Sequence, residues 1–168
     1  MNKVKFGIAG YGKMGKIREE SILNSSDAKL ISIYEISEYS HNDKSIVQCN
    51  SFDELLTTDI DAVIVSAYVS VAADYVIRAL SRGKHVFCEK PPSMTAKEMT
   101  KVIEIEKKMG KVLKYGFNHR FHYSVMEAKK VINDGSLGKM LWMRGVYGKA
   151  GSIDFHDNWR NYKNYSGG

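Results

Sequence analysis

The chain has 168 residues, 43% of them hydrophobic, which is enough for one globular domain or for one domain and the beginning of another. Its sequence contains no run approaching the roughly 20 apolar residues of a membrane span, and its first residues do not form the apolar segment of a signal peptide. A cytoplasmic protein is therefore predicted. The net charge of +6 is dispersed among acidic residues, so it does not choose between nucleic acid and a phosphorylated small molecule as a partner.

The cysteine content argues against a disulfide framework. Cys49 and Cys88 are the two cysteines of the chain, and they lie far apart in sequence without forming a C-x-x-C pair. We expect both thiols to be reduced and buried, in keeping with a cytoplasmic location.

The first elements are predicted to be a strand, a tight turn, a helix and a second strand. Apolar side chains alternate in the sequence VKFGIAG, and Met14, Ile17 and Ile22 then follow at helical intervals. A second apolar strand is predicted from Leu30 to Tyr34. This order of elements is typical of the start of a parallel sheet.

The middle of the chain continues the alternation of helices and strands. Ser51 and Glu54 have the spacing of a capping box at the start of a short helix, and DAVIVSA is apolar enough for a central strand. The next helix is predicted over Val71–Leu80, with Gly83 as its end. The sequence HVFCE then predicts a further strand.

A change of pattern near residue 120 divides the chain. Before it, a capping box of Thr95 and Glu98 begins a helix that ends at Gly110, and the strand KVLKYGF follows. This alternation predicts an α/β fold, a Rossmann-type doubly wound parallel sheet, over residues 1–120. The helix SVMEAKKVIND and the alternating sequence GKMLWMRGVYGK come after it, so residues 121–168 are predicted to begin a second domain.

Three glycines stand between the first strand and the first helix. Gly10, Gly12 and Gly15 form the pattern G-x-G-x-x-G, and the next strand ends in an acidic residue, Glu35. The first glycine permits a tight turn, the second lets the backbone approach a pyrophosphate, and the third lets the helix pack closely on the sheet. A loop that merely tolerates glycine is the alternative, but the strand-turn-helix context favours a dinucleotide site.

The residues around this turn predict which dinucleotide binds. Glu35 would accept hydrogen bonds from the adenosine ribose, and its charge would repel a 2′-phosphate, so NAD is favoured over NADP. A solvated glutamate at the end of a strand is the alternative. We also assign Lys13 and Met14 at the start of the helix, and Ser66 and Ala67 after the fourth strand, to the cofactor site.

The fifth strand leads into the tripeptide Glu89-Lys90-Pro91, at the sheet edge where open α/β sheets bind ligands. The chain resembles a known family in its glycine-rich turn and in three further segments, SRGKHVFCEKPPSMTAKEM, YGFNHRFH and DGSLGKM. It resembles, over essentially its whole length, the Gfo/Idh/MocA family of dehydrogenases, which includes glucose-fructose oxidoreductase and inositol dehydrogenase.

The resemblance implies an activity and a set of site residues, and it implies that residues 121–168 begin an incomplete α+β substrate domain. It implies NAD(H)-linked oxidation or reduction of a hydroxyl or carbonyl group on a sugar, polyol or nucleotide sugar. Lys90 would be the catalytic lysine that reaches the substrate oxygen, and Glu89 would lie near the nicotinamide. Asn118 and Arg120 would border the substrate pocket, with a polar interdomain hinge as the alternative. The Lys90-Pro91 bond is a candidate cis peptide.

Two parts of the chain depart from the family. Members carry Thr-Pro-Asn and a histidine after the fourth strand, where this chain has Ala67-Tyr68-Val69 and then Ala72, so the cofactor contacts there stay open. Members also continue past the end of this chain into a segment with an aspartate and an acid/base histidine. We therefore expect an incomplete version that binds NAD(H), lacks dehydrogenase activity alone, and self-associates as a homo-oligomer through an unfinished sheet exposing Trp142 and Val146.

Other classes of function are predicted to be less favoured. His119 and His122 have no third metal ligand at a suitable spacing, so no metal is predicted, and His156-Asp157 is interpreted as an ordinary loop pair. A non-catalytic dinucleotide-binding sensor or scaffold is the second hypothesis. The third is a nucleic-acid-binding module, suggested by the interleaved basic and aromatic residues of KYGFNHRFHY, although its glycine is misplaced for an RNA-recognition strand.

Overall fold

The structure, a computed structural model, describes residues 3–146, 148 and 158–166. Its strands are β1 (Val4–Ala9), β2 (Ala28–Tyr34), β3 (Val47–Cys49), β4 (Ala62–Val65), β5 (His85–Cys88) and β6 (Leu113–Tyr115). Its helices are α1 (Lys13–Leu23), α2 (Phe52–Thr57), α3 (Val69–Ser81), α4 (Ala96–Met109), α5 (Tyr123–Asn133) and α6 (Lys163–Ser166).

The six strands form one sheet in the order β3-β2-β1-β4-β5-β6, and every neighbouring pair is parallel. The predicted doubly wound parallel sheet is therefore confirmed. The chain moves outwards from β1 in one direction through β2 and β3, then returns to β4 and moves in the other direction. This reversal leaves a crevice beyond the carboxyl ends of β1 and β4, where ligands bind in such sheets.

Alternate residues of the central strands pack against opposite faces of the sheet. Ile8 of β1 and Ile64 of β4 join Ile22 of α1 in one buried cluster. Their neighbours Ala9 and Val65 join a larger cluster built with α2, α3 and α4 on the other face. Since both faces are covered by apolar side chains, the strands are apolar throughout, as the sequence DAVIVSA predicts.

The connection from β2 to β3 contains no helix. A loop over residues 36–46 takes its place, and Ile46 and Tyr39 of this loop pack in the same cluster as Ile22 of α1. The sequence did not predict β3, because a strand of three residues, VQC, is too short to show a periodic pattern.

Most helix boundaries follow the local signals in the sequence. The Thr95 and Glu98 capping box is present at the start of α4, and Gly110 ends that helix in the left-handed conformation with a φ of 59°. The capping box predicted at Ser51 and Glu54 is only half formed. The Ser51 hydroxyl accepts a hydrogen bond from the Glu54 amide at 3.1 Å, but the Glu54 carboxylate bonds the amide of Asn50 instead of that of Ser51. Helix α3 begins at Val69, two residues earlier than predicted.

The chain divides into two compact units, one made of Met1–Gly116 with Trp159–Gly168, and the other of Phe117–Asn158. The first unit contains the sheet, and its final segment contributes α6. The predicted boundary at residue 120 stays a prediction, because compactness alone does not show that a unit folds independently. The terminal segment is predicted from the sequence to belong to the second domain. In the structure, its Trp159 and Tyr165 contact Tyr68 of the first unit.

The second unit contains a short 3-10 helix, Asn118–Phe121, followed by α5. The strand predicted from the sequence GKMLWMRGVYGK is wrong over residues 138–146, which form no strand in the structure. Alternation of apolar residues is not sufficient for a strand, because the backbone N–H and C=O groups also need a partner strand, and none of the described residues pairs with these. Trp142 and Val146 are nonetheless exposed, at 75% and 84%.

The helices of the described residues do not indicate a membrane span. None of those in the described residues combines the length and the apolar character that crossing a bilayer requires.

Candidate functional site

A groove of about 1080 Å³ opens beyond the carboxyl ends of β1, β2 and β4. Its volume lies at the upper end of the range for small-molecule and cofactor sites. The groove brings together seven of the predicted cofactor residues: Gly10, Gly12, Lys13, Met14, Glu35, Ser66 and Ala67.

The three glycines of the turn meet three different steric demands. Gly10 has a φ of +90°, and a Cβ there would lie 2.6 Å from the amide nitrogen of Ala67 and the carbonyl carbon of Ser66. A Cβ on Gly15 would overlap the carbonyl oxygen of Gly10, so α1 packs directly on the turn. Apart from the chain next to it, none of the described residues has an atom within 4 Å of the Cβ position of Gly12. The turn is thus packed against protein at Gly10 and Gly15, and its backbone is accessible from the groove at Gly12.

The N-terminus of α1 faces the same opening. Gly12 is its N-cap residue, without a side chain to cap the first amides, and the first turn carries no acidic residue. The amides of the first turn and the positive end of the helix dipole therefore remain available to an anion, as a pyrophosphate site requires.

Glu35 lies at the end of β2 and is fixed by backbone amides. Its carboxylate accepts hydrogen bonds from the amide of Tyr11 in the glycine-rich turn and from the amide of Ser37 at 3.0 Å. No salt bridge to Glu35 is found in the described part of the chain. The wall of the groove next to β2 therefore carries a carboxylate held by backbone amides and not by a salt bridge of the described residues, while Lys13 and Lys16 line the same groove.

A polar network that the sequence did not predict supports this wall. The Tyr11 hydroxyl donates a hydrogen bond to Glu19 of α1, and the other Glu19 oxygen lies 2.7 Å from Nε2 of His41. The ring of Tyr11 also packs against Tyr39, with 5.4 Å between centroids, and against His41, with 5.9 Å. These contacts fasten the loop after β2 to α1. Their members are up to 30 positions apart and belong to no motif, so no sequence signal marks them.

The surroundings of His41 change its protonation. Burial lowers the pKa of His41, but the hydrogen bond and charge of Glu19 and the backbone carbonyl of Asp43 outweigh this effect, and the net pKa is raised above 6.5. Protonated His41 and ionised Glu19 therefore stabilise one another in the folded state.

We expect this pair to make folding stability depend on pH. Because the folded-state pKa of His41 is raised, its contribution is fully present below about pH 6.5 and is lost as the pH rises through the raised value. Replacing His41 by Asn should cost about 1 to 2 kcal/mol of unfolding free energy at pH 6 and less at pH 8.5. Urea denaturation of both proteins across this range measures the difference. Glu19→Gln is the matched control, because it removes the charge partner and should flatten the dependence. A cost that stays constant with pH contradicts the assignment.

The tripeptide Glu89-Lys90-Pro91 follows the end of β5. Glu89 donates its amide to the carbonyl of Val65 at 2.8 Å, and the Lys90-Pro91 peptide is cis, as predicted. Lys90 is exposed, whereas Glu89 is half-buried and forms a salt bridge with Arg18 of α1. Arg18 was not identified from the sequence, because it lies 71 positions from its partner.

The predicted cysteine environments are confirmed, since both thiols are buried. Burial, followed by the charge of a neighbouring glutamate, raises the pKa of Cys49 to about 11 and that of Cys88 to about 12. Both therefore remain neutral thiols near pH 7, which does not suit a nucleophile.

The atypical loop after β4 packs against the terminal segment of the same unit. The Tyr68 ring lies 5.1 Å from that of Trp159 and 5.3 Å from that of Tyr165, measured between centroids. Trp159 also lines the groove. An indole from the far end of the chain thus joins the wall near the loop where the sequence departs from the family, a role that the local sequence did not reveal.

The remaining predicted residues lie elsewhere. Asn118 and Arg120 are exposed on the 3-10 helix of the second unit. His156 and Asp157 lie outside the described residues. Within the described ranges, no group of three or more His, Cys, Asp or Glu side chains is arranged to hold a metal ion.

A parallel sheet of this strand order, with a G-x-G-x-x-G turn at its reversal point and an acidic residue after β2, defines a dinucleotide-binding Rossmann domain. Residues 4–117 match the model of the Gfo/Idh/MocA family, described as an oxidoreductase family with an NAD-binding Rossmann fold. The chain belongs to this family, and the resemblance seen in its sequence is confirmed.

Curated relatives of the chain include inositol dehydrogenases. Inositol 2-dehydrogenase of Salmonella typhimurium is 30% identical over 159 residues, which cover 89% of this chain and 47% of the relative. Myo-inositol 2-dehydrogenase of Thermotoga maritima is 32% identical over 142 residues, covering 81% of this chain and 42% of the relative. The chain thus spans about half the length of the curated relatives it matches.

A solved structure shows the same fold. Scyllo-inositol dehydrogenase from Lactobacillus casei, with bound NAD(H) and scyllo-inositol, superposes with a TM-score of 0.75 at 26% identity, covering 82% of this chain and 43% of that protein. These relatives lend no support to the alternative hypotheses of a sensor or a nucleic-acid-binding module.

Proposed function

We propose that the protein is an NAD(H)-dependent oxidoreductase that acts on a hydroxyl or carbonyl group of a polyol, a sugar or a nucleotide sugar. The observation that carries this proposal is the groove at the reversal point of the sheet, where the open turn at Gly12 and the carboxylate of Glu35 meet. Inositol dehydrogenases among the relatives favour a polyol within this substrate class.

The residues present fit a dinucleotide. The amides after Gly12 and the N-terminus of α1 would hold the pyrophosphate, and Glu35 would accept hydrogen bonds from the adenosine ribose. Ser66 and Ala67 would line the path towards the nicotinamide, where Trp159 adds apolar surface. When bound, the nicotinamide ring supplies the site that accepts or returns a hydride.

Lys90 is proposed to act on the substrate oxygen. Its ammonium would donate a hydrogen bond to that oxygen, and its amine would take the hydroxyl proton when an alcohol is oxidised. Asn118 and Arg120 are proposed as substrate contacts that bind and orient the hydroxyl groups. Glu89 is proposed to lie at the nicotinamide end of the site.

Two measurements test the proposal. The 168-residue chain should quench or enhance NADH fluorescence in a saturable titration, and a full-length protein that contains it should turn over at least one member of an inositol, polyol and nucleotide-sugar panel. Failure to bind NADH at millimolar concentration contradicts the cofactor assignment. Binding without turnover of any panel member favours the sensor hypothesis.

Glu35 is proposed to make the site prefer NAD(H) over NADP(H). Replacing Glu35 by Ser removes the fixed negative charge next to the position of a 2′-phosphate, so the ratio of the two dissociation constants should move about tenfold towards NADPH, roughly 1.4 kcal/mol. Calorimetry with both reduced cofactors measures the ratio.

Glu20→Ser provides the matched control for this change. Glu20 is an exposed glutamate of α1 outside the groove, so its loss changes net charge equally without touching the ribose site. Equal or tighter NADPH binding by the unmodified chain contradicts the proposed preference.

We also propose that the full-length protein is a homo-oligomer. Leu141, Trp142 and Met143 follow one another in the sequence of the second unit with exposures of 82%, 75% and 77%. Contiguous apolar surface of this kind usually marks a protein contact. Residues 138–146, through which association by an unfinished sheet is predicted, form no strand. The cytoplasmic location stays a prediction.

A further inference from the structure

We propose that Arg18 is a positioning residue, which holds Glu89 and thereby the backbone from which Lys90 projects. This inference rests on the proposed function, because it assigns Lys90 a role at the substrate oxygen. Arg18 does not line the groove, and its hydrogen bonds within the described residues are with Glu89, which is predicted to lie near the nicotinamide.

The ion pair joins two parts of the cofactor site. Arg18 lies in α1, the helix that begins at the glycine-rich turn, and Glu89 follows β5 immediately before Lys90. The Arg18 Nε donates to Oε1 of Glu89 at 2.7 Å, and its Nη2 donates to the same oxygen. The two side chains are only 22% and 11% exposed, so this pair is much less screened than a surface salt bridge.

The surroundings leave the Glu89 carboxylate little freedom. The guanidinium of Arg18 lies over the ring of Phe87, with 4.8 Å from its carbon to the ring centroid. On the β6 side, a Cβ added to Gly116 would lie 2.7 Å from Oε2 of Glu89, so the carboxylate packs directly on the Gly116 backbone. The Glu89 amide is bonded to the carbonyl of Val65. Glu89 is thus held by Arg18, by the Gly116 backbone and by its own amide, while the Phe87 ring supports the guanidinium.

Loss of Arg18 would leave a largely buried carboxylate without its partner. Such a group attracts another cation, and the adjacent residue Lys90 carries one. An ammonium drawn towards Glu89 is withdrawn from the substrate oxygen. The expected consequence is a slower chemical step with little change at the pyrophosphate and ribose contacts, which lie after β1 and β2 and not after β5.

The test uses Arg18→Met in the full-length protein and in the 168-residue chain. In the full-length protein, kcat should fall at least tenfold while KM for NAD changes less than threefold. In the chain alone, acetylation of Lys90 by acetic anhydride should slow at least threefold relative to exposed Lys97, because the amine is held by Glu89. Mass spectrometry of the labelled peptides measures this ratio without any turnover.

Arg78→Met is the matched control. Arg78 of α3 also bonds carboxylates, Asp53 at 2.6 Å and Asp74 at 3.0 Å, and it also lies over an aromatic ring, that of Phe52, at 5.0 Å. Removing this stacked and paired guanidinium should lower the free energy of unfolding. It should leave kcat and the acetylation rate of Lys90 unchanged.

Other outcomes separate this inference from the proposed function. If Arg18→Met does not fold, Arg18→Lys replaces it. Lysine keeps the charge but cannot make two N–H bonds while stacking on Phe87, so kcat should still fall at least threefold. A folded variant with unchanged kcat and unchanged Lys90 labelling overturns the positioning role, even where the unmodified enzyme turns over and Lys90→Ala abolishes turnover. If Lys90→Ala retains turnover, the failure lies in the proposed function instead.

Discussion

Replacing Lys90 by Ala in the full-length protein is expected to lower kcat by about 1000-fold, within the range for loss of a group that transfers a proton to the reacting atoms. The physical reason is that this side chain is exposed at the end of β5 and is proposed to hydrogen-bond the substrate oxygen. The loss should therefore appear in the chemical step. Steady-state kinetics with the best panel substrate measures it.

The cofactor site should remain intact in the same variant. Lys90 does not line the groove that contains the glycine-rich turn and Glu35, so the dissociation constant of NADH should change less than about threefold, which is under 1 kcal/mol. Lys97→Ala removes an exposed lysine of α4 and serves as the control for loss of charge. A Lys90→Ala enzyme with near-normal kcat removes Lys90 from the proposed chemistry.

The second large effect is expected from alanine at two neighbouring glycines. Gly10→Ala should lower the unfolding free energy by at least about 2 kcal/mol, because its φ of +90° is strained for alanine and its Cβ would lie 2.6 Å from backbone atoms that cannot move aside. Gly12→Ala meets no protein atom within 4 Å, so stability should change by only about 0.5 kcal/mol. The added methyl group would instead occupy the approach of the pyrophosphate, and NADH affinity should fall at least about tenfold.

Gly110→Ala separates the effect of backbone strain at a positive φ from the effect of steric overlap. Gly110 also has a positive φ, 59°, but nothing lies within 4 Å of its Cβ position, so its substitution should cost only about 1 kcal/mol. Urea denaturation and NADH titration of the three variants provide the measurements. Tight NADH binding by a folded Gly12→Ala protein contradicts the proposed position of the pyrophosphate.

Features that depend on neighbours in sequence were predictable. The helix α4 begins and ends at its predicted residues, because the Thr95 and Glu98 capping box and the left-handed Gly110 act within one turn of the chain. The parallel sheet followed from the alternation of apolar strands with amphipathic helices, since each strand must be covered on both faces. The glycine-rich turn was also predictable, because its three glycines lie between β1 and α1, where this pattern is typical of a pyrophosphate-binding backbone.

The strand wrongly predicted over residues 138–146 shows that a local pattern of side chains does not predict strand pairing. Trp142 and Val146 are exposed as predicted, but Leu141 and Met143 are exposed as well, so the segment does not alternate as a strand would. A strand also requires a partner for its backbone groups, and pairing is a property of distant residues. The three-residue strand β3 shows the converse, because Val47–Cys49 has almost no pattern and is formed by pairing with β2.

The class of sheet, the glycine-rich turn and the position of Glu35 and Lys90 at the ends of their strands could all be predicted from local sequence. The side chains that support them could not, because they are brought together by folding. The salt bridge of Arg18 with Glu89 spans 71 positions, and that of Glu19 with His41 spans 22. The contact of Tyr68 with Trp159 likewise joins residues that no motif connects. Such pairs form when packing removes both groups from water and leaves each as the other's partner, and one-dimensional spacing carries no record of that proximity.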